Sequence, residues 1–403
     1  MIFRFIAASA LLLAAASASA APQTYSLDVA KDGGIAGSGA DMLRREIAHA
    51  QFILWGEDHG FADSAIVLRA IAHEARPLGF KYHVVEVGPL STRMVGATLE
   101  HDGTNGVAKL VHDVPLGIPF LSLKDDDDLA SEFSGHDARG TPYLWGVDQE
   151  FIGAPIFHLR RLVELAPDDK SRAEATRLLA AESAAAANAD IPKFLLSSAS
   201  AKDFDALADL FRGNAEAQAI IAELKESAAI YQDWMSGRNY ENNVRRARLI
   251  ASHFLNEYAA AADPNPKVVF KMGMDHVALG TTTNNIVDIG TLATSIARTN
   301  GLGALRIGFL PTGGHNLDFV PQKGNPTQIN AYDAPESKEF FTAVGIDPAR
   351  LSKTGWTLIP LEPIRQSLDT KGIDALKPFS RFVLLGFDYI VTTPDAKPAV
   401  FPY

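Results

Sequence analysis

Five short apolar runs constrain this chain more than any other feature of it. They are Phe52-Ile53-Leu54-Trp55, Tyr82 to Val87, Tyr143 to Val147, Val268 to Met272 and Leu305 to Leu310. None alternates cleanly between polar and apolar, so each reads as a strand buried on both faces, the pattern of a parallel sheet covered by helices. Helical periodicity fills most of the intervals; Ala62 to Arg76 is one such segment, ended by Pro77 and Gly79. The expected fold is therefore α/β, a central mainly parallel sheet flanked by helices.

The interval between the third and fourth runs, about 155–262, carries no strand signal and is rich in alanine. Ile220, Leu224, Ala228, Tyr231 and Met235 fall on one helical face, and Val244, Ala247, Ala251, Phe254 and Tyr258 on another. The expectation is a helical insertion that walls one side of a site, within a single domain over 21–403. The acidic run Asp125 to Asp128 lacks the spacing of a calcium loop and reads as a solvated helix start.

The first twenty residues read as an address. Arg4 supplies the positive start, Phe5 to Ala15 the apolar run, and Ala18-Ser19-Ala20 the small-residue cleavage pattern before Ala21-Pro22. A signal peptide over 1–20 implies a periplasmic or secreted protein. Its apolar run is too short to span a bilayer, and no integral membrane segment is expected after cleavage. The chain contains no cysteine, so neither a lipobox anchor nor a disulfide can form. A formal charge of −11 argues against nucleic acid and anionic membrane surfaces as partners, which leaves a small-molecule substrate or ligand.

Polar residues crowd the ends of the apolar runs. The first leads into Gly56-Glu57-Asp58-His59-Gly60, the second ends near Glu86, and the third is followed by Asp148-Gln149-Glu150. The fourth leads into Gly273-Met274-Asp275-His276 and the fifth into Thr312-Gly313-Gly314-His315. Ligands of open α/β sheets bind outside the carboxyl ends of the strands, so this is where chemistry is expected. His59 and His276 occupy matching Gly-x-x-His motifs. Glu86 interrupts an apolar run, and a buried carboxylate is costly unless paired. Asp148, Glu150 and His315 are further candidates, whereas Glu57 and Asp58 read equally well as a helix cap. His73-Glu74 lacks the second histidine of a zincin helix, and neither a nucleophile elbow nor a phosphate loop occurs.

Paired Gly-x-x-His motifs, a glutamate closing the second strand and Arg238-Asn239 opening a helix before the last motif resemble one broad superfamily. It comprises the erythromycin esterases, the Tiki and TraB/GumN proteins and the ChaN-like haem-binding proteins. The resemblance runs over roughly residues 50–90 and 236–280 and includes Lys267 to Gly280. It implies a site made of His59, Glu86, Arg238 and His276. Glu57-Asp58-His59 is one residue shorter than the erythromycin esterase spacing and closer to the Tiki and ChaN-like members.

Two functions follow from that likeness. In the first the chain is a hydrolase of an ester, lactone or amide. His59 would be the base, Glu86 would orient its ring, and His276 with Arg238 would stabilise the oxyanion. A variant has His59, Glu86 and His276 holding a divalent metal that activates water. In the second the protein binds haem or a similar flat cofactor without catalysis, a histidine serving as axial ligand. Tyr231, Trp234 and Tyr240 would then line the pocket.

Overall fold

Strands that bury every residue must be covered on both faces, and the arrangement of the sheet follows from that requirement. The computed structural model describes residues 22–320, 322 and 325–402. The expected signal peptide lies outside them. The strands are β1 (Tyr25–Val29), β2 (Ile35–Ala36), β3 (Ala50–Glu57), β4 (Phe80–Val85), β5 (Leu144–Gly146), β6 (Lys267–Gly273) and β7 (Gly303–Phe309). They continue with β8 (His315–Phe319), β9 (Thr327–Ala331), β10 (Trp356–Pro360) and β11 (Tyr389–Thr392). Among the described residues, nine of them form one sheet in the order β2-β1-β10-β11-β7-β3-β6-β4-β5, and β8 pairs with β9 apart from it.

The run from β11 to β5 is parallel throughout, and β10 and β1 extend it antiparallel. All eight residues of β3 are buried. Its alternate side chains feed two separate cores: Phe52 and Leu54 join Val268, Phe270 and Met272 on one face, and Ile53 and Trp55 join Val269, Leu305 and Ile307 on the other. The five apolar runs correspond to β3, β4, β5, β6 and β7. Two differ from the expected runs: β4 is shifted two residues toward the amino terminus and ends at Val85, and β5 is shorter, covering three residues. The helix Ala62–Ala75 passes into the turn Arg76–Leu78 and closes on Gly79 at φ 94°.

The segment between β5 and β6 is helical. Its longest members are Asp169–Ala187, Ala215–Met235 and Asn239–Ala260. These do not all pack on the sheet: Leu162, Phe194, Phe211, Ile221 and Leu224 form a core of their own. The antiparallel edge made by β10 and β1 was not anticipated from the sequence.

One backbone position ties the end of β3 to the rest. Gly60 has φ +87°, and a Cβ there would come within 2.2 Å of the Leu317 carbonyl oxygen. Its own carbonyl accepts hydrogen bonds from Leu317 N (2.9 Å) and Ala399 N (2.8 Å). Gly60→Ala is expected to cost ~1–3 kcal/mol, because a side chain is strained in this conformation and meets a backbone atom. Urea unfolding would show a lowered midpoint; an unchanged midpoint would show that the loop yields without cost.

Candidate functional site

The parallel register delivers the chemistry to one place. Glu57 of β3 stands opposite Gly273 of β6, and Val85 of β4 opposite Lys271. The residues that follow these strands therefore emerge side by side: His59 after β3, Glu86 after β4, and His276 in the turn Met274–Val277 after β6. Gly273 keeps the space between them open. A Cβ on it would lie 3.4 Å from His59 Nε2, 3.5 Å from Glu86 Oε2 and 3.7 Å from His276 Cδ2.

Glu86 is at the centre and nearly fully buried. Its Oε2 accepts from Gly273 N at 2.6 Å, and its Oε1 accepts from Arg246 Nη2 at 2.7 Å. His59 Nε2 lies 3.7 Å from Oε2 and His276 Nε2 lies 3.4 Å from Oε1. Burial pushes the Glu86 carboxyl up, but His276, His59 and Arg246 outweigh it and hold it well below the usual carboxylate range.

Each imidazole is gripped from behind by a second carboxylate. His59 Nδ1 is 3.0 Å from Glu57 Oε1, and His276 Nδ1 is 2.8 Å from Asp288 Oδ2. An ionised carboxylate only accepts, so both Nδ1 atoms carry hydrogen and both Nε2 atoms face Glu86. Burial disfavours the charged ring in each case, yet the neighbouring carboxylates prevail. His59 is shifted up, and His276 reaches about 10. His59 is also stacked on Phe120 at 4.2 Å and 25°.

A buried ion cluster fixes Glu57 in turn. Lys271, in the middle of β6, donates to Glu57 Oε1 at 2.6 Å and lies 2.9 Å from Asp126 Oδ1. Ser64 donates to the other Glu57 oxygen and itself accepts from Trp55 Nε1 at 2.8 Å. Burial raises Glu57, but Lys271 and His59 bring it down to about 2. Asp126 is left higher, at about 6, where burial exceeds the pull of Lys271. The acidic run is thus not a solvated helix start. It opens the helix Lys124–Ser131, but Asp126 and Asp127 turn inward, and Asp127 rises to about 9 through burial and its acidic neighbours.

Two expected roles are corrected. Arg238 does not reach Glu86; its Nε donates to Asp233 at 3.0 Å, and the guanidinium is more than half exposed. It caps the helix Asn239–Ala260 beside the end of the preceding helix, whereas Arg246, two turns further along, faces the sheet. Arg246 also bonds Asp148, its Nε donating to Oδ1 at 2.9 Å. The partner that orients His59 through Nδ1 is Glu57 and not Glu86. Of the other candidates, Glu150 is buried against His158 (2.9 Å) and accepts from Leu90 N and Ser91 N, pinning a helix start. His315 lies on β8 and Tyr240 is exposed; neither lines the cleft. Lys271 was legible as a charge inside an apolar strand, the signal that singled out Glu86. Arg246 carried no such signal among Arg245, Arg246 and Arg248, and Asp288 looks like an ordinary helix cap.

The cleft has two lobes that share His59, Glu86 and Arg246. The larger and more polar of the two, about 1210 Å³, has a mixed lining: the loop Thr281 to Asn285, Asp275, Asp333, Glu336 and Arg381 share it with Phe379, Phe382 and Leu385, and His276 belongs to it. A second lobe, about 510 Å³, is lined by Phe120, Phe151, Ile152, Tyr231, Trp234 and Met235.

Neither cofactor suggested by the sequence fits these residues. Both Glu86 oxygens are engaged by N–H donors, one of them cationic, and both histidines have Nδ1 committed. Among the described residues no group of three or more His, Asp or Glu is disposed to hold a metal ion. An axial bond to haem would require His59 or His276 to turn its Nε2 away from Glu86.

No protein-family model matches the chain, and no curated protein does. Solved structures do. An erythromycin esterase mutant in its open conformation has a TM-score of 0.56 at 15% identity, covering 90% of this chain and 95% of that one. A Bacillus cereus protein gives 0.52 at 12% identity, covering 93% and 96%. A succinoglycan biosynthesis protein gives 0.52 at 11%, covering 90% and 92%. At these identities the likeness establishes the fold, which is the fold implied by the paired Gly-x-x-His motifs, and it extends through the tail beyond them.

Removing Lys271 would leave the buried Asp126 without its cation and Glu57 with His59 alone. Lys271→Met is expected to lose ~3–5 kcal/mol at pH 7. Asp126, which burial already holds at about 6, rises further above its unfolded value without the ammonium, so the loss is relieved as pH falls and Asp126 takes a proton. Urea titrations at pH 7 and pH 5 should show the gap to wild type narrowing. A gap that widens toward acid would contradict this electrostatic account.

Proposed function

We propose that this protein is a hydrolase that directs water onto an ester, lactone or amide carbonyl at the junction of the two lobes. One observation carries the reading: two imidazoles, each held at Nδ1 by its own carboxylate, turn their Nε2 atoms toward Glu86 from either side, beside the open space at Gly273. Holding the Nδ1 hydrogen fixes the tautomer and leaves Nε2 as the atom that exchanges protons. The fold shared with an erythromycin esterase supports the same class of reaction.

The two rings differ in what they can do. His59 is the more accessible, with its side chain about one-third exposed (35%) and both lobes open to it. It acts as general base, taking the proton of the attacking water on Nε2. His276 is nearly buried and, at about 10, cationic at neutral pH. It stabilises the developing oxyanion and gives its Nε2 proton to the leaving group. Glu86 holds the two rings apart and balances their charge. Arg246 keeps Glu86 ionised and stationary, so it positions and does not itself react.

This division of labour has a pH signature. The base must be deprotonated, so activity rises with pH through a His59 pKa that lies above the ordinary imidazole value. The acid must be protonated, so activity falls again as pH passes about 10. A bell-shaped kcat/KM profile is expected. His59→Ala should lower activity by ~10²–10⁴ and remove the acid limb. A His59→Ala enzyme that keeps the wild-type profile would end the assignment.

The two arginines separate the observed site from the one implied by resemblance. Arg246→Ala unpairs Glu86 and Asp148 and should reduce turnover by about tenfold or more. Arg238→Ala, at the exposed helix start, should stay within about twofold. Kinetics on the two purified variants decide, and the reverse order would restore Arg238 to the site.

A further inference from the structure

Resting on the hydrolase reading above, we infer that the substrate is an ester joining an aromatic acyl group to an uncharged, hydroxyl-bearing alcohol of sugar size. The observation behind it is the asymmetry of the cleft. Its lobes differ in chemistry, and they meet only where His59, Glu86 and Arg246 stand.

The smaller lobe suits a flat ring. Phe120, Phe151, Tyr231 and Trp234 line it, and such rings favour stacked or edge-on aromatic partners over aliphatic ones. Apart from His59 at the junction, its charged lining residues Glu86, Asp148 and Arg246 are joined through the Arg246 guanidinium, so the aromatic wall itself carries no free charge. At its mouth Trp234 is 59% and Met235 43% exposed. An indole left in water at the end of the helix Ala215–Met235 contributes little to the fold, but it covers a ring inserted beneath it.

The larger lobe suits hydroxyl groups. Thr281, Thr283, Asn284 and Asn285 line it as neutral donors and acceptors. Asp275 straps this loop, accepting from Thr283 N at 3.0 Å, from Thr283 Oγ1 and from Asn284 Nδ2 at 3.0 Å. Asp333 is paired with Lys338 at 2.6 Å. Asp275 and Asp333 are thus already paired, and Arg381, which also lines the lobe, has its Nη1 4.0 Å from Asp374 Oδ1, so the loop offers hydroxyl partners in preference to a free charge. A volume of about 1210 Å³ accommodates a hexose with room for water.

The proton donor sets the orientation. His276 lines the polar lobe and is absent from the aromatic one. The alcohol oxygen that leaves must therefore lie on the polar side, and the acyl group on the aromatic side. Water adds its oxygen to the carbonyl carbon while His59 takes its proton. The carbon–oxygen bond to the alcohol then breaks, and that oxygen takes the His276 proton. The products are an aromatic acid and a free polyol.

The test uses the full chain and two kinds of probe. Cinnamyl β-glucoside has no acyl bond, so its binding is read by calorimetry independently of turnover. It should bind about tenfold or more tighter than cinnamyl alcohol or methyl β-glucoside, and Trp234→Ala should remove most of that gain. In turnover, 6-O-cinnamoylglucose should exceed methyl cinnamate, 6-O-acetylglucose and cinnamoylcholine by about tenfold or more in kcat/KM. Esters hydrolysed without this preference would overturn the inference and leave the hydrolase reading standing. Tight, Trp234-dependent glucoside binding with no ester turned over would support the two-lobed ligand and overturn the hydrolase. Glucoside binding no tighter than its halves would overturn the inference whatever the turnover.

Discussion

The negative charge on Glu86 is the constraint around which this end of the molecule is organised. A carboxylate taken out of water must find its solvation elsewhere, and here four groups supply it: the Gly273 amide at the end of β6, Arg246 from a helix, and an imidazole on either side. The three side chains among those groups are each held by a further anion, Asp148 for Arg246, Glu57 for His59 and Asp288 for His276. Charges alternate outward from Glu86, so every ion has opposite neighbours and none is left unpaired in the low-dielectric interior.

That alternation links stability to chemistry. The contacts that make a buried carboxylate tolerable also raise the proton affinity of both imidazoles, since a ring between two carboxylates is more stable charged. The same contacts fix the ring tautomers. Lys271 carries the arrangement one layer deeper, into the core beneath β3, where Glu57, Asp126 and Ser64 complete a buried network. A hydrogen-bonded network of this kind rigidifies what it holds, and what it holds is the His59 ring.

The helical segment between β5 and β6 contributes in a different way. It has its own core, so its tip can present Trp234 and Met235 over the cleft without disturbing the sheet. The ends of the sheet strands bring His59, Glu86 and His276 together, and the helices and the loop after His276 supply two unlike walls. Among the described residues no helix is long and apolar enough to cross a membrane.

The sequence by itself determined the sheet and the three central side chains. Short continuous apolar runs bounded by turn residues read as strands covered on both faces, and His59, Glu86 and His276 stand out as the polar residues at their ends. These are local signals, carried by neighbours in the chain. Tertiary structure alone decided the partners. Which carboxylate orients His59, which arginine reaches Glu86 and whether Asp126 faces water depend on strand register and helix rotation. The sequence distributes Arg238 and Arg246 over one helix without saying which turn faces the sheet. The antiparallel edge was invisible for a related reason. Strands β10 and β1 take their place by pairing with each other and with β11, and such long-range pairing leaves no local mark beyond a few β-branched residues.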